Sequence, residues 1–231
     1  MQSCMRKRDV LKHWEKEHVD IALYGIENQT QTDKFMPFRV IGYDGALYRA
    51  QLLNDNKNIV PVVTLVLYFG TEKRWNQKRT VKELMRIPEG LDKYVNDYKI
   101  HVFEIAWLTD EQLQMFQSDF GIVANFFVQK RRNKDYEPDD ERVIQHVDEV
   151  LKLLSVMSKD NKYERLLYND GEKGEVTTMC EVAERLVNKG ENLLATLISK
   201  LLLEGRNEDV ELAVNDENAR KKLYEEFGLT K

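Results

Sequence analysis

The chain has 231 residues, of which 42% are hydrophobic and 32% charged, with a formal net charge of −5. That balance is too apolar for a disordered chain and too polar for a membrane protein, and the length suffices for one sizeable domain with a helical appendix or for two small domains. The charge is unevenly spread: residues 1–134 carry 21 Lys and Arg against 17 Asp and Glu, a net of +4, while residues 135–231 carry 14 against 23, a net of −9, so two parts with different tasks are expected.

The first stretch with a pattern, "RDVLKHWEKE" (8–17), has two readings. It is either a strand turning at "EKEH" into the next apolar run or an amphipathic helix with Asp9 in its solvated first turn. "VDIALYGIE" (19–27) and "VPVVTLVLYF" (60–69) are short, aliphatic and β-branched, and read as largely buried strands. Between them, Asp33 or Thr32 can cap a helix, Pro37 suits its first turn, and Val40, Leu47 and Leu52 recur at roughly helical spacing, so a helix is expected over 34–53. Gly42 and Gly45 weaken it by about 1 kcal/mol each. "YKIHVFEIA" (98–106) alternates and reads as a third strand, and strands alternating with helices imply a mixed α/β core. From "TDEQLQMF" (109–116) onward the pattern is helical. "RRNKDYEPDDE" (131–141) reads as a linker, and helices are expected near 139–158, 175–204 and 216–227, the last capped by Asp216 and stopped by Gly228.

Two cysteines, Cys4 and Cys180, and four histidines form no disulfide or zinc spacing. The longest apolar run is about half the length of a membrane span and no signal-peptide pattern opens the chain, so a cytoplasmic protein with no membrane contact is expected. In "YGIENQT" (24–30), Glu27 and Gln29 lie two apart at a strand end and therefore project from one face, with no basic residue close in sequence to neutralise the acid. A carboxylate and an amide on one face suit a hard, oxygen-loving cation such as Mg2+, with Mn2+ as a substitute. If residues 8–14 form a strand antiparallel to 19–27, Asp9 supplies a second acid. The plain alternative for the pair is a polar strand end entering a turn.

Two further sets of residues stand out. Arg39 and Tyr43, four apart, share a helix face that could reach a phosphate, or form a surface pair. The segment 72–86 carries six basic residues against two acids; Lys73, Arg74, Lys78 and Arg79 suit a loop gripping a phosphate backbone, with the Trp75 indole either stacking on an exposed base or tucked inward. In the tail, Leu186, Leu193, Leu194, Leu197, Ile198, Leu201 and Leu202 make an apolar stripe that packs on neighbouring helices or forms a homodimer seam.

The blocks "IENQT…MPFRVIGYDGALYR", "VPVVTLVLYFG…W" and "YKIHVFEIAWLTDEQL", in this order and spacing, resemble the Rpn family, the recombination-promoting nucleases also called PD-(D/E)XK nuclease family transposases, over roughly residues 6–130, with a looser likeness in the helical tail. The resemblance implies a restriction-endonuclease-like mixed-sheet core flanked by helices, Mg2+-dependent DNA cleavage, and a role in bacterial DNA recombination or mobile elements. Glu27 and Gln29 match the family's E-x-Q, Asp9 its preceding aspartate, and Arg39 and Tyr43 an Arg and a Tyr on the following helix. It implies Asp9 and Glu27 as metal ligands, and Asp9, Glu27 and Gln29 as the catalytic set. An amide cannot act as a general base, so the metal itself must activate the water. Family members carry a helical segment ahead of the first acid, whereas eight residues precede Asp9 here, so the nuclease-like domain (1–130) is expected to lack that helix and to be followed by an acidic helical region (139–231). A truncated, inactive relative serving as a DNA-binding or protein-interaction module is the alternative.

Overall fold

The computed structural model describes residues 10–16, 19–53, 59–167 and 177–229. The chain divides into two compact units: Met1–Tyr136 with Leu153–Asp160, and Glu137–Lys152 with Asn161–Lys231. No helix among the described residues is long and apolar enough to cross a membrane.

In the first unit, β1 (Val10–Lys16) and β2 (Val19–Gln29) pair antiparallel, with Val10 opposite Ile26 and Lys16 opposite Val19 and a register shift between Trp14 and Glu15. Of the two readings of residues 8–17, the strand is therefore the one observed for Val10–Lys16. Asp9 and two residues of the expected turn, Glu17 and His18, lie outside the described residues. β3 (Val62–Tyr68) and β4 (His101–Glu104) complete a sheet of order β1-β2-β3-β4, with β2 parallel to β3 and β3 parallel to β4. Glu27 pairs with Val66, and Gln29 with Tyr68, which in turn pairs with Glu104.

Parallel neighbours need a long crossover, and between β2 and β3 it is α1 (Met36–Leu53). Asp33 starts this helix: its carboxylate accepts the Phe35 N–H at 2.8 Å and its carbonyl the Met36 N–H at 3.3 Å. Met36, Val40, Asp44 and Gln51 recur on the face turned to the sheet and are buried, which offsets the two helix glycines. Its polar members are satisfied there. The Thr64 hydroxyl donates to Asp44 Oδ1 at 2.5 Å, the Tyr98 hydroxyl donates to Asp44 Oδ2, and the Gln51 amide exchanges two hydrogen bonds with the Val60 backbone. Met36, Val40, Val66, Tyr68, Trp75 and Ile100 form the apolar core beside them.

The third expected strand is shorter than its pattern. Ile100 N–H donates to the Arg79 carbonyl and Lys99 bridges Thr80, so residues before 101 pair with the preceding loop, while Ile105–Trp107 close into a 3-10 turn. After α2 (Asp110–Gln114), α3 (Phe120–Arg132) packs Phe120 and Phe127 against Phe69. α4 (Val147–Ser158) begins eight residues later than the pattern suggested. Upstream of it the Arg142 N–H and guanidinium bond the Asp140 carboxylate, and the Asp140 carbonyl accepts the Met179 N–H, which holds that stretch out of a helix.

In the second unit, α5 (Met179–Leu203) starts at a capping box between Thr178 and Glu181. Gly205, at φ 75°, turns the chain into α6 (Asn207–Asn215), a helix with no counterpart in the sequence reading. α7 (Glu217–Glu226) is capped by Asp216, as expected. Leu197 and Leu201 are buried against Ala213 and Leu223 with Leu194 beside them, so this part of the leucine stripe packs on its neighbouring helices, while Leu202 is exposed.

Candidate functional site

β2 ends on the E-x-Q pair, and α1 lies across that end. Strand alternation puts Glu27 and Gln29 on one sheet face, and Glu27 is fully buried there. Its Oε2 accepts a hydrogen bond from the Arg39 guanidinium at 2.9 Å, and the other arm of the same guanidinium donates to Asp33 Oδ2, also at 2.9 Å. Burial disfavours the charged guanidinium, but Tyr43, Asp33 and Glu27 outweigh it and hold the Arg39 pKa above the ordinary arginine value. Gln29 is half-buried, and its carbonyl accepts the Phe69 N–H at 2.8 Å, which ties the ends of β2 and β3 together.

The structure therefore brings Glu27, Arg39 and Tyr43 together and adds Asp33, which the sequence reading treated only as a helix cap. It corrects one premise. Glu27 does have a cation, Arg39, supplied from twelve residues downstream by the first turn of α1. The strand itself carries no Lys or Arg, and the partner arrives through the β2–α1 crossover. Among the described residues, no group of three or more His, Cys, Asp or Glu side chains comes together as a metal-ligand set. Mg2+ commonly takes one or two carboxylates and completes its shell with water and phosphate oxygens. A buried carboxylate with an amide on the same face fits a site of that sparse kind, with Arg39 already bonded to one of its oxygens.

The loop from Thr71 to Thr80 is a platform rather than a flexible arm. The Tyr68 hydroxyl donates to the Lys73 carbonyl at 2.9 Å, the Trp75 N–H to Glu104 Oε1 at 2.7 Å, and the Trp75 indole N–H to the Gln77 carbonyl at 3.0 Å. The indole is only 7% exposed and meets the Tyr68 ring edge-on at 5.5 Å. Its stacking on an exposed base is corrected accordingly: the ring belongs to the core, because a large apolar side chain three residues from a basic turn gains more by covering Tyr68 than by facing water. What remains at the surface is the charge. Arg74 and Arg79 lie 3.9 and 3.8 Å from Glu104 Oε2, and Lys78 lies 3.5 Å from Glu83. The cations of these pairs are exposed, Glu104 is largely covered, and the Lys78–Glu83 pair, exposed on both sides, is worth little to stability. Glu104, at the sheet position beside Tyr68, thus anchors the loop's backbone and faces two of its cations, a role that nothing in the sequence signalled.

Beyond the carboxyl ends of β2 and β3 opens a cleft of about 590 Å3. Thr30, which follows Gln29, and Gly70, which follows β3 by two residues, lie in its wall. A side chain at Gly70 would place its Cβ 2.1 Å from the Tyr68 hydroxyl oxygen, so the close approach of the buried Tyr68 ring requires glycine there.

Neither a curated protein nor a solved structure matches the chain. A family model described as "Putative transposase, YhgA-like" matches residues 15–162, nearly two thirds of the chain, reaching into the region of looser likeness beyond residue 130. The matched residues include Glu27, Gln29, Arg39, Tyr43 and the basic platform, and begin after Asp9. The chain belongs to this YhgA-like transposase family, the group of Rpn and PD-(D/E)XK transposase-like proteins that its sequence blocks resemble.

Proposed function

We propose that the protein is a metal-dependent DNA endonuclease of the PD-(D/E)XK type, acting in DNA recombination or on mobile elements. The observation that carries this reading is the position of the family's E-x-Q pair: Glu27 and Gln29 end a central strand, with Arg39 of the crossover helix bonded to Glu27. An antiparallel strand pair followed by a helical crossover to a parallel strand is compatible with a restriction-endonuclease-like core. Glu27, with Asp9, would hold Mg2+ or Mn2+, and the bound ion would make water nucleophilic near neutral pH. Gln29 would orient that water by its amide, since it has no basic group to offer. Arg39, held by Glu27 and Asp33, has a planar fork of donors suited to a phosphate, and Tyr43 steadies it. Lys73, Arg74, Lys78 and Arg79 grip the phosphate backbone of the DNA without reading its bases.

A second reading is favoured by one specific observation, the engagement of the buried Glu27 Oε2 by Arg39. On that reading the chain is an inactive relative that binds DNA or a protein partner. Supercoiled plasmid incubated with purified protein and Mg2+ separates the two. Nicking that requires the metal, stops with chelator and is lost in Glu27→Ala is the expected result. If wild type and Glu27→Ala nick equally, or neither nicks, hydrolysis at this site is refuted, and gel retardation retained without nicking supports the binding module.

A further inference from the structure

Three lysines from three separate elements line the cleft beyond β2 and β3: Lys73 of the basic platform, Lys130 of α3, and Lys159 just after α4. All lie within the first unit. None of the three forms an ion pair among the described residues, although basic residues near Lys73 and Lys130 do. Arg131 and Arg132, adjacent to Lys130, are committed to the Ala106 carbonyl and to Asp110, and Arg74, adjacent to Lys73, faces Glu104. Glu72 is the one carboxylate in the wall, and Thr30, Thr32, Thr71 and Ser158 add hydroxyls. Like charges converging on one concavity repel unless an anion joins them.

Lys159 carries the argument further. It has φ 58°, the one non-glycine residue with positive φ among the described residues, and Asp160 N–H donates to the Ser155 carbonyl in the closure that ends a helix. Glycine is the default at that position because a Cβ is disfavoured in the left-handed region. Here the chain carries a lysine. Favourable interaction with the helix dipole alone would be served by a lysine in the last helical turn, with no left-handed backbone. The backbone strain is accepted where it sets a lysine in the wall of the cleft, as strained residues tend to cluster at functional sites.

We propose that this cleft is a phosphate subsite in which Lys73, Lys130 and Lys159 together hold the sugar–phosphate backbone of a single nucleic-acid strand leaving the Glu27 region. Its volume lies in the ~300–1,000 Å3 range of ligand pockets, room for a nucleotide or two of one strand rather than for a duplex. The proposal deepens the reading of DNA as the partner and rests on it. Gln29, which precedes the cleft residue Thr30, joins the ends of β2 and β3, so a strand passing the E-x-Q pair would enter the cleft next.

The test uses the full chain and a fluorescein-labelled single-stranded oligonucleotide of mixed sequence, with binding followed by anisotropy in chelator across a range of salt. Each phosphate contact to a single strand contributes about 0.7 to the slope of log K against log salt. Replacing all three lysines by glutamine should therefore lower the slope by about 2 and the affinity in 0.1 M salt by roughly 100-fold. Lys221→Gln, on α7 in the second unit, should change neither. Lys159→Gly separates function from folding: it should melt no lower than wild type, because glycine suits φ 58°, yet bind about 5-fold more weakly. A triple variant whose slope changes no more than that of Lys221→Gln overturns the proposal, as does a wild type that does not bind the strand. Binding in chelator is independent of cleavage. Lysine-dependent binding by a protein that never nicks plasmid would sink the hydrolysis reading and keep the subsite, and nicking with an unchanged slope in the triple variant would do the reverse.

Discussion

Replacing Arg39 by glutamine removes the guanidinium that bonds a fully buried carboxylate, Glu27, and an acid of the helix entry, Asp33. Breaking a buried ion pair by removing one partner costs about 3–5 kcal/mol, whereas an exposed pair is worth about 0–1 kcal/mol. Arg39 is 22% exposed while Glu27 is not exposed at all, so the loss should fall between these limits, at about 2–3 kcal/mol. For a unit of this size that lowers Tm by roughly 6–9 °C. Calorimetry or urea denaturation of Arg39→Gln, Glu27→Gln and the double variant closes a mutant cycle. With Glu27 already neutral, loss of Arg39 should do much less harm, leaving a coupling of about 1–2 kcal/mol. Additivity within about 0.5 kcal/mol would refute the claim that these two residues stabilise each other. Arg39→Lys should recover part of the loss, since an ammonium keeps the charge but cannot bond both acids with one planar fork.

Trp75→Ala should destabilise the first unit by about 3–5 kcal/mol, the usual range for removing a buried tryptophan, because its ring packs on Tyr68. Trp75→Phe should retain most of that stability and bind DNA like wild type; a tenfold loss of affinity at unchanged stability would restore the indole as a base-stacking group. In the second unit, the Asp216 carboxylate accepts the N–H groups of Ala219 and Asn218, which hold its pKa below the usual carboxylate range. The sign follows from linkage: stability from this cap is complete above the unfolded value, about pH 4, and is lost as pH falls through the lower folded value. Asparagine caps without titrating, so Asp216→Asn should lose less helical circular dichroism than wild type in an acid titration, and coincident titration curves would contradict the assignment.

Periodicity and end signals alone determined much of this protein. The aliphatic runs at 19–27 and 60–69 read as strands and correspond to β2 and β3, Asp33 and Pro37 marked the entry to α1, and Asp216 and Gly228 bracketed α7 within a residue or two, because these signals act between residues close in the chain. The same local alternation put Glu27 and Gln29 on one face. α6 escaped because its apolar positions are few and its start has no side-chain cap. Only the tertiary structure decided what surrounds Glu27, since Arg39 reaches it through a crossover and Asp33 comes with the same turn. It also turned Trp75 inward and used Glu104, twenty-nine residues away, to fix the basic loop. The convergence of Lys73, Lys130 and Lys159 is likewise invisible in one dimension. Charge pairing and burial depend on distance in space, and a sequence specifies that distance only once its strands have found their register.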